Sequence, residues 1–193
     1  MIDYIKGVIT QVTPTFVVVE TSGTGYFINI SLTTFSKLEN KTDVKILVHE
    51  VIREDAHLLY GFADPQEREI FRHLISVTGV GASTARMMLS SLNPSEIEHA
   101  IIGSDVNILK SIKGIGLKTA QRIIVDLREK LGKQAGGGEI FAPADNTNRE
   151  EALSALVMLG FAKSAVTKVL DKIVREEKNL TVEDMIKKAL KNL

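Results

Sequence analysis

Two copies of one glycine-containing pattern are the residues of this chain best suited to bind an anion. The stretches LISVTGVGASTARMML and LKSIKGIGLKTAQRII begin 35 residues apart, at Leu74 and Leu109, and share Leu, Ser, two Gly, Thr and Ala at matching places. Each runs from a helical stretch into Gly-x-Gly and then into a second helix. Glycine permits positive φ and close backbone approach, and a helix begins with unpaired N–H groups at the positive end of its dipole. The pattern predicts two helix-hairpin-helix motifs, each able to hold a phosphate oxygen.

Two other interpretations of Gly-x-Gly account for the repeat less well. A single copy is often only a tight turn, but here both copies also share a Thr-Ala flank and an apolar anchor, Val80 or Ile115. A dinucleotide-binding loop needs a preceding strand and a third glycine, and this chain has Thr84 and Thr119 at that position. Two phosphate contacts on one scaffold would position the protein on a nucleic-acid backbone without reading its sequence.

The composition excludes several classes of protein. The chain has 193 residues, 44% of them hydrophobic and 25% charged, which is typical of globular domains rather than of disorder. It has no cysteine, and its four histidines show no ligand spacing, so we expect no disulfide, no metal and no cofactor. The N-terminus lacks a basic, apolar leader, and no apolar run reaches the length of a membrane span. The sequence predicts a cytoplasmic protein with no membrane contact.

The charge balance limits how a nucleic acid could be held. The chain has 24 basic and 24 acidic residues, and no segment is strongly basic: residues 1–63 have 5 and 7, residues 64–131 have 9 and 8, and residues 149–193 have 9 and 7. Binding would therefore depend on backbone amides and a few placed cations, or on several copies of the chain acting together.

The elements that must position the hairpins indicate a multi-domain α+β protein. Residues 1–63 are rich in Val, Ile, Tyr and Phe between turn residues, which predicts a five-stranded β-barrel. The predicted strands are Ile2–Val12, Thr15–Glu20, Tyr26–Ile30, Lys45–Ile52 and Leu58–Phe62, with one helix at Thr33–Leu38. We expect an OB fold, and an SH3-like barrel is the alternative.

From Pro65 onward, apolar residues recur with the spacing of an α-helix. Residues 64–131 predict an all-helical domain around the two hairpins, with Asp105 capping a short helix and the last helix ending at Gly132. Residues 132–148 contain three consecutive glycines and no periodicity, which is typical of a flexible linker. Residues 149–193 predict a small three-helix domain whose third helix opens at Thr181. Its Leu-Gly-Phe corner resembles ubiquitin-associated (UBA-like) modules. Such a domain would bind a protein partner, or alternatively cap its own chain.

The whole arrangement resembles the RuvA family, the Holliday junction-binding subunits of the bacterial branch-migration complex. The resemblance rests on the REDA turn followed by LLYGF, on VTGVGASTA and KGIGLKTAQRIIVDL, on the glycine linker and on the LVMLGF tail. It implies a homotetramer, single or paired, that holds a four-way DNA junction open in recombination, DNA repair and the SOS response to DNA damage. The tail would recruit the hexameric ATPase RuvB, and a junction-resolving nuclease could join the larger complex. The chain itself would not be an enzyme, in line with its lack of a Walker motif.

The resemblance also implies which residues bind DNA. The two phosphate cradles would be Gly79, Val80, Gly81, Ala82 and Ser83, and Gly114, Ile115, Gly116, Leu117 and Lys118. The Lys118 ammonium would reach the bound phosphate, and Arg122 lies one turn further on the same helix face. The family often has a basic residue where this chain has Ser83, so either the first cradle is weaker or Arg86 compensates from the next turn.

Two further sets of residues follow from the same resemblance. Glu54 and Asp55 would form acidic pins that line the junction crossover and repel the DNA backbone, although an acidic turn between strands is commonly just an exposed hairpin tip. The ATPase would contact Leu156, Leu159 and Phe161, which could instead be the core of the small helical domain.

Two other classes of function fit parts of the sequence. The chain could be an accessory module of another repair enzyme, a nuclease or ligase, because doubled helix-hairpin-helix motifs occur there. It could also be a protein-interaction scaffold in which the glycine hairpins are only turns. The first would require a catalytic carboxylate cluster or nucleotide loop, which the sequence does not display.

Overall fold

The chain forms two compact units. The computed structural model describes residues 1–135, 144–177 and 180–193. The first unit is Met1–Gly136 and the second is Gly137–Leu193.

The first part of unit one is a closed five-stranded barrel. Its elements are β1 Tyr4–Val12, β2 Phe16–Thr21, β3 Thr24–Ile30, α1 Leu32–Leu38, β4 Asp43–Ile52 and β5 His57–Phe62. The strands are ordered β1-β2-β3-β5-β4, and only the β3–β5 pair is parallel. This closed five-stranded order is OB-like rather than SH3-like and confirms the predicted barrel.

The barrel closes because alternate residues point inward and one glycine lets two strands approach closely. Val17, Val19 and Ile28 are fully buried inside it, as period-two alternation requires. A Cβ on Gly7 would lie 2.0 Å from the carbonyl oxygen of Glu20, so only glycine fits at this point of β1. The chain of β1 therefore crosses β2 closely enough to complete the barrel.

Five helices complete unit one. They are α2 Pro65–Ile75, α3 Ala82–Ser91, α4 Pro94–Ile102, α5 Val106–Ser111 and α6 Leu117–Ala135. Asp105 caps α5 as predicted, accepting from the amides of Asn107 and Ile108. The predicted end of α6 at Gly132 is wrong. A single exposed glycine costs a helix only about 1 kcal/mol, and the neighbouring Leu131 is held in the core.

The barrel and the helices share one hydrophobic core. Tyr60 and Phe62 at the end of β5 pack against Phe71 of α2, with ring centroids 5.2 and 4.9 Å apart. All three side chains are buried. The elements that carry the hairpins are therefore packed directly on the strands that carry the acidic turn.

A buried carboxylate joins the barrel to α2. Glu67 is fully buried and accepts hydrogen bonds from the hydroxyls of Ser31 and Thr34, the second at 2.7 Å. Each hydroxyl also accepts a backbone N–H, from Thr34 to Ser31 and from Ala63 to Thr34. Each hydroxyl has a single proton, and both protons are donated to Glu67. Burial raises the pKa of the Glu67 carboxyl, and the two hydroxyl hydrogen bonds oppose that rise.

The second unit is a three-helix bundle. Its helices are α7 Ala144–Met158, α8 Lys163–Glu176 and α9 Val182–Leu190. Thr181 caps α9 as predicted, accepting from the Asp184 amide at 3.2 Å. The predicted linker overlaps the end of α6 and the start of α7, and its residues 136–143 lie outside the described residues. Gly160, with φ +100°, ends the turn after α7, and Phe161 donates its amide to the Leu156 carbonyl.

Candidate nucleic-acid interface

The two hairpins have the same backbone hydrogen bonds at matching positions. In the first, the amide of Val80 donates to the Val77 carbonyl at 3.0 Å, and the amide of Ala85 donates to Gly81 at 2.9 Å. The second hairpin repeats both bonds at the same distances. They run from Ile115 to Ile112 and from Ala120 to Gly116. The sequence repeat is therefore a structural repeat.

The two glycines of each hairpin have different roles. Gly79 and Gly114 have φ of +94° and +92°, a conformation that glycine adopts without strain. Gly81 has φ −86°, and positive φ is not found at Gly116 either. A Cβ at any of the four would meet no protein atom within 4 Å. The fold therefore does not need glycine at Gly81 and Gly116, and the space beside them is open to a ligand.

The predicted cradle residues divide into anchors and donors. The side chains of Val80 and Ile115 are buried, and their amides are used in the internal bonds, so these residues shape the loop rather than donate to a phosphate. Ala82 is also buried, whereas its counterpart Leu117 is half exposed. The exposed candidates among the predicted residues are Gly79, Gly81, Ser83, Gly114, Gly116, Leu117 and Lys118.

The amides at the start of α3 remain available to an outside acceptor. The first intrahelical bond begins at Ala85, and no side chain caps the helix. The neighbouring helices α2, α4 and α5 are each capped, by Asp64, Asn93 and Asp105. A helix terminus left uncapped among capped ones can accept an anion from outside. Helix α6 likewise forms its first bond only at Ala120, after Leu117 and Lys118.

The cations of the second hairpin are exposed. Lys118 lies in the first turn of α6, and Arg122 follows one turn later with its Nε 3.8 Å from Asp126 Oδ2. A surface pair at that distance contributes little and leaves the guanidinium accessible. Lys113, which immediately precedes Gly114, is also exposed. The sequence analysis missed Lys113, although its position beside the first glycine could have indicated it.

The suggestion that Arg86 compensates for Ser83 is not supported by the geometry. Arg86 Nη1 donates to the carbonyl of Thr15 and to Asn29 Oδ1, both at 3.0 Å. The guanidinium is thus directed at the barrel, away from the role the sequence suggested. Arg86 holds α3 against β2 and β3 and so positions the first hairpin.

Glu54 and Asp55 lie at the tip of the hairpin that joins β4 to β5. Both are exposed, and within the described part of the chain neither forms a salt bridge. The Arg53 amide donates to the Ala56 carbonyl at 2.8 Å, which closes the turn. Within the described residues, two carboxylates therefore project from the barrel without a salt bridge.

A third carboxylate, that of Glu50, forms contacts at the base of this hairpin. Glu50 accepts from the Ile2 amide at 3.0 Å, and its other oxygen lies 3.3 Å from His57 Nε2. The backbone hydrogen bond from Ile2 is the main reason that the pKa of Glu50 lies below its usual value. The strands that carry the acidic tip are thereby tied to the N-terminus of the chain.

The predicted partner-binding residues differ in exposure. Leu156 is 0% exposed and lies in the bundle core, on the inward face of α7, which is the alternative role that the sequence left open for it. Phe161 is partly buried against the same core. Leu159 is 63% exposed, and Met158, which the sequence analysis did not single out, is 85% exposed.

The described residues contain no group of His, Cys, Asp or Glu placed to hold a metal ion. Among the helices in those residues, none has both the length and the apolar character needed to cross a membrane.

Comparison with known proteins covers the whole chain. Residues 1–61 match the RuvA N terminal domain, residues 71–129 the SAM-like helix-hairpin-helix tandem, and residues 147–193 the RuvA C-terminal domain. Relatives named Holliday junction branch migration complex subunit RuvA occur in Christiangramia forsetii, Flavobacterium psychrophilum and Bacteroides thetaiotaomicron. They are 53%, 50% and 48% identical to this chain, and each alignment covers 100% of both sequences.

Proposed function

The chain belongs to the RuvA family, and from this premise we propose that it binds four-way DNA junctions as a subunit of a branch migration complex in recombination and DNA repair. One observation supports this most strongly. Two equivalent glycine hairpins and an acidic tip without salt bridges lie in one compact unit with a shared core. A junction offers that unit phosphates to hold on its arms and an open centre for the acids.

Each hairpin would hold the backbone of a DNA arm. The exposed amides at the start of α3 and α6 supply donors, and the open space beside Gly81 and Gly116 admits a phosphate oxygen. Lys118 and Arg122 add charge at the second hairpin. Such contacts recognise backbone shape and leave the sequence unread, as expected for a protein that acts on a junction moving along DNA.

The proposal includes a homotetramer. A chain with 24 basic and 24 acidic residues has no net positive charge with which to hold four duplex arms. Four copies arranged around one axis would supply eight hairpins, and linked weak contacts raise the overall affinity far above that of one copy. The same arrangement would gather the acidic tips at the junction centre.

Neutralising the acidic tip tests this function directly. In a gel-shift comparison of a four-way junction with linear duplex of equal length, the unmodified chain should prefer the junction. Glu54→Gln with Asp55→Asn keeps the shape of the tip and removes its charge. Duplex binding should then become tighter, by about 10-fold at low salt if two repulsions of about 0.7 kcal/mol are lost, and junction preference should fall.

Salt supplies the control for this pair of substitutions. Because exposed charges are screened within about 8 Å at physiological ionic strength, the difference between the two proteins should shrink as salt is added. Weaker duplex binding by the neutral variant, or an unchanged junction preference, would show that the tip is only a turn. A chain without junction preference before mutation would contradict the proposed function itself.

We further propose that the second unit recruits the ATPase that drives migration, so that this chain binds the DNA and the partner moves it. Met158 and Leu159 at the end of α7 carry the exposed apolar surface that supports this. Leu159→Glu should reduce stimulation of the RuvB ATPase at least 10-fold, because burying an unpaired carboxylate at an apolar contact costs more than about 1.4 kcal/mol.

Helix content and junction binding provide the controls for Leu159→Glu, and both should be retained, since this side chain is outside the bundle core. Val125→Glu is a matched variant, because Val125 is similarly exposed but lies on α6 in unit one. Full stimulation by the Leu159 variant would remove this surface from the docking site.

A further inference from the structure

The two hairpins differ in charge at matching exposed positions. Their backbones are equivalent, so residues related by the repeat can be compared directly. Three exposed positions are neutral in the first hairpin and cationic in the second; the pairs are Thr78 and Lys113, Ser83 and Lys118, and Met87 and Arg122. The second hairpin thus presents three cations where the first presents none.

Two arginines near the first hairpin do not restore its charge. Arg86 is bonded to Thr15 and Asn29 of the barrel, as described above. Arg72 lies on α2, before the hairpin. Its charge acts on His49 of β4, where burial and then Arg72 lower the pKa of the imidazole. The Arg86 guanidinium therefore lies against the barrel, and Arg72 is on the helix that precedes the hairpin, outside the repeated positions.

The amide donors do not differ between the hairpins. Both loops use the same internal bonds, and both following helices form their first bond at the equivalent alanine, Ala85 or Ala120. The conformation of the first glycine is also the same. Among the groups that could bind a phosphate, the two sites differ in full positive charge.

We propose that the two hairpins have different roles in binding DNA. The second neutralises phosphate charge and provides the salt-dependent part of the affinity, and the first is a neutral contact that fixes the position of the DNA backbone. This inference rests on the proposed function and specifies the chemistry of its two sites. Each phosphate neutralised by a lysine or arginine contributes about 0.9 to the slope of log affinity against log salt, whereas an amide or hydroxyl contact contributes essentially nothing.

The difference in charge between the two hairpins should affect how fast the junction moves. Each neutralised phosphate must regain its counterions before the duplex can advance, so cations at both hairpins would hold an arm more tightly and slow its passage. A neutral first hairpin keeps the backbone in register at a smaller cost for each step. The absence of charge at Ser83 then favours migration.

The test compares paired variants of the full chain in junction gel shifts over a range of salt. All substituted side chains are exposed, so the fold should be retained, and urea unfolding checks this. Lys113→Gln with Lys118→Gln should lower the salt slope by about 1.8 for each chain in contact with DNA. Thr78→Gln with Ser83→Gln, the matched pair in the first hairpin, should leave the slope unchanged.

Ser83→Lys is the converse substitution, because it adds a cation to the first hairpin. It should raise the slope by about 0.9 per contacting chain, tighten binding at low salt and slow partner-driven migration. The inference is overturned if the lysine pair leaves the slope unchanged, if the glutamine pair at the first hairpin lowers it equally, or if Ser83→Lys does not raise it. In each of these cases the unmodified chain still binds junctions. Failure of the unmodified chain to bind a junction would instead overturn the proposed function together with this inference.

Discussion

Replacing Gly116 by Val is expected to lower junction affinity about 10- to 100-fold, because charge-assisted hydrogen bonds to one phosphate contribute about 1.5–3 kcal/mol. The substitution is not expected to disturb the fold. Gly116 is not in the positive-φ region, and a Cβ there meets no protein atom within 4 Å. The added methyl groups occupy only the space into which a phosphate oxygen would fit. At the start of α6, valine should cost about 1 kcal/mol of helix stability.

Two other glycine variants make the result interpretable. Gly132→Val is the matched control, because Gly132 is exposed on the same helix and its Cβ would also meet nothing, so junction binding should be unchanged. Gly114→Val adds backbone strain of about 1–2 kcal/mol to any loss of contact, since φ there is +92°. Urea unfolding and junction gel shifts separate the two effects. A folded Gly116→Val protein with normal affinity would exclude the hairpin from the binding site.

Removing the Glu67 carboxylate is expected to lower the free energy of unfolding of the first unit by about 3–5 kcal/mol. Glu67→Ala leaves the hydroxyl protons of Ser31 and Thr34 without their acceptor in a buried site, because both hydroxyls donate to the Glu67 carboxylate. It also leaves a cavity between α1 and α2. Glu69→Ala, on the same helix but half exposed, should cost less than about 1 kcal/mol. Equal losses of unfolding free energy for the two substitutions would show that the buried Glu67 carboxylate does not hold the barrel and α2 together.

The pH dependence of unfolding distinguishes the charge of Glu67 from its volume. Its pKa is raised in the folded protein, so between the ordinary carboxyl value of 4.5 and the raised value the folded state binds more protons than the unfolded state. The contribution of this group therefore falls as pH rises through that window. Stability relative to Glu67→Gln, which does not titrate, should decline across it and level off above it. Urea midpoints over a pH series would reveal this, and parallel profiles for the two proteins would contradict it.

Local signals in the sequence were sufficient for the barrel and for the hairpins. Asp105 and Thr181 cap helices where the sequence predicts, because an N-cap depends only on residues within one turn. The repeat also predicts equivalent loops, and the structure has them. These features require no knowledge of distant contacts.

Distant contacts decide the points that the sequence leaves open. Arg86 has the same local setting as a phosphate-binding arginine, and only the approach of Thr15 and Asn29 from the barrel shows its partners. Leu156 and Leu159 are both apolar at the end of one helix, and the packing of the bundle alone determines that one is 0% and the other 63% exposed. The sequence alone does not show which face of a helix the rest of the domain covers, so it cannot distinguish such cases.

The shared core around Phe71 determines how unit one responds to mechanical load. A motor that drew duplex past the hairpins would pull on α3 and α6. Helix α3 packs beside α2, and α2 carries Phe71, which contacts Tyr60 and Phe62 of β5. Tension applied to the helices would therefore pass through these rings into β5, the strand that follows the acidic tip. Because the hairpins and these rings belong to one hydrophobic core, the hairpins and the tip should move together.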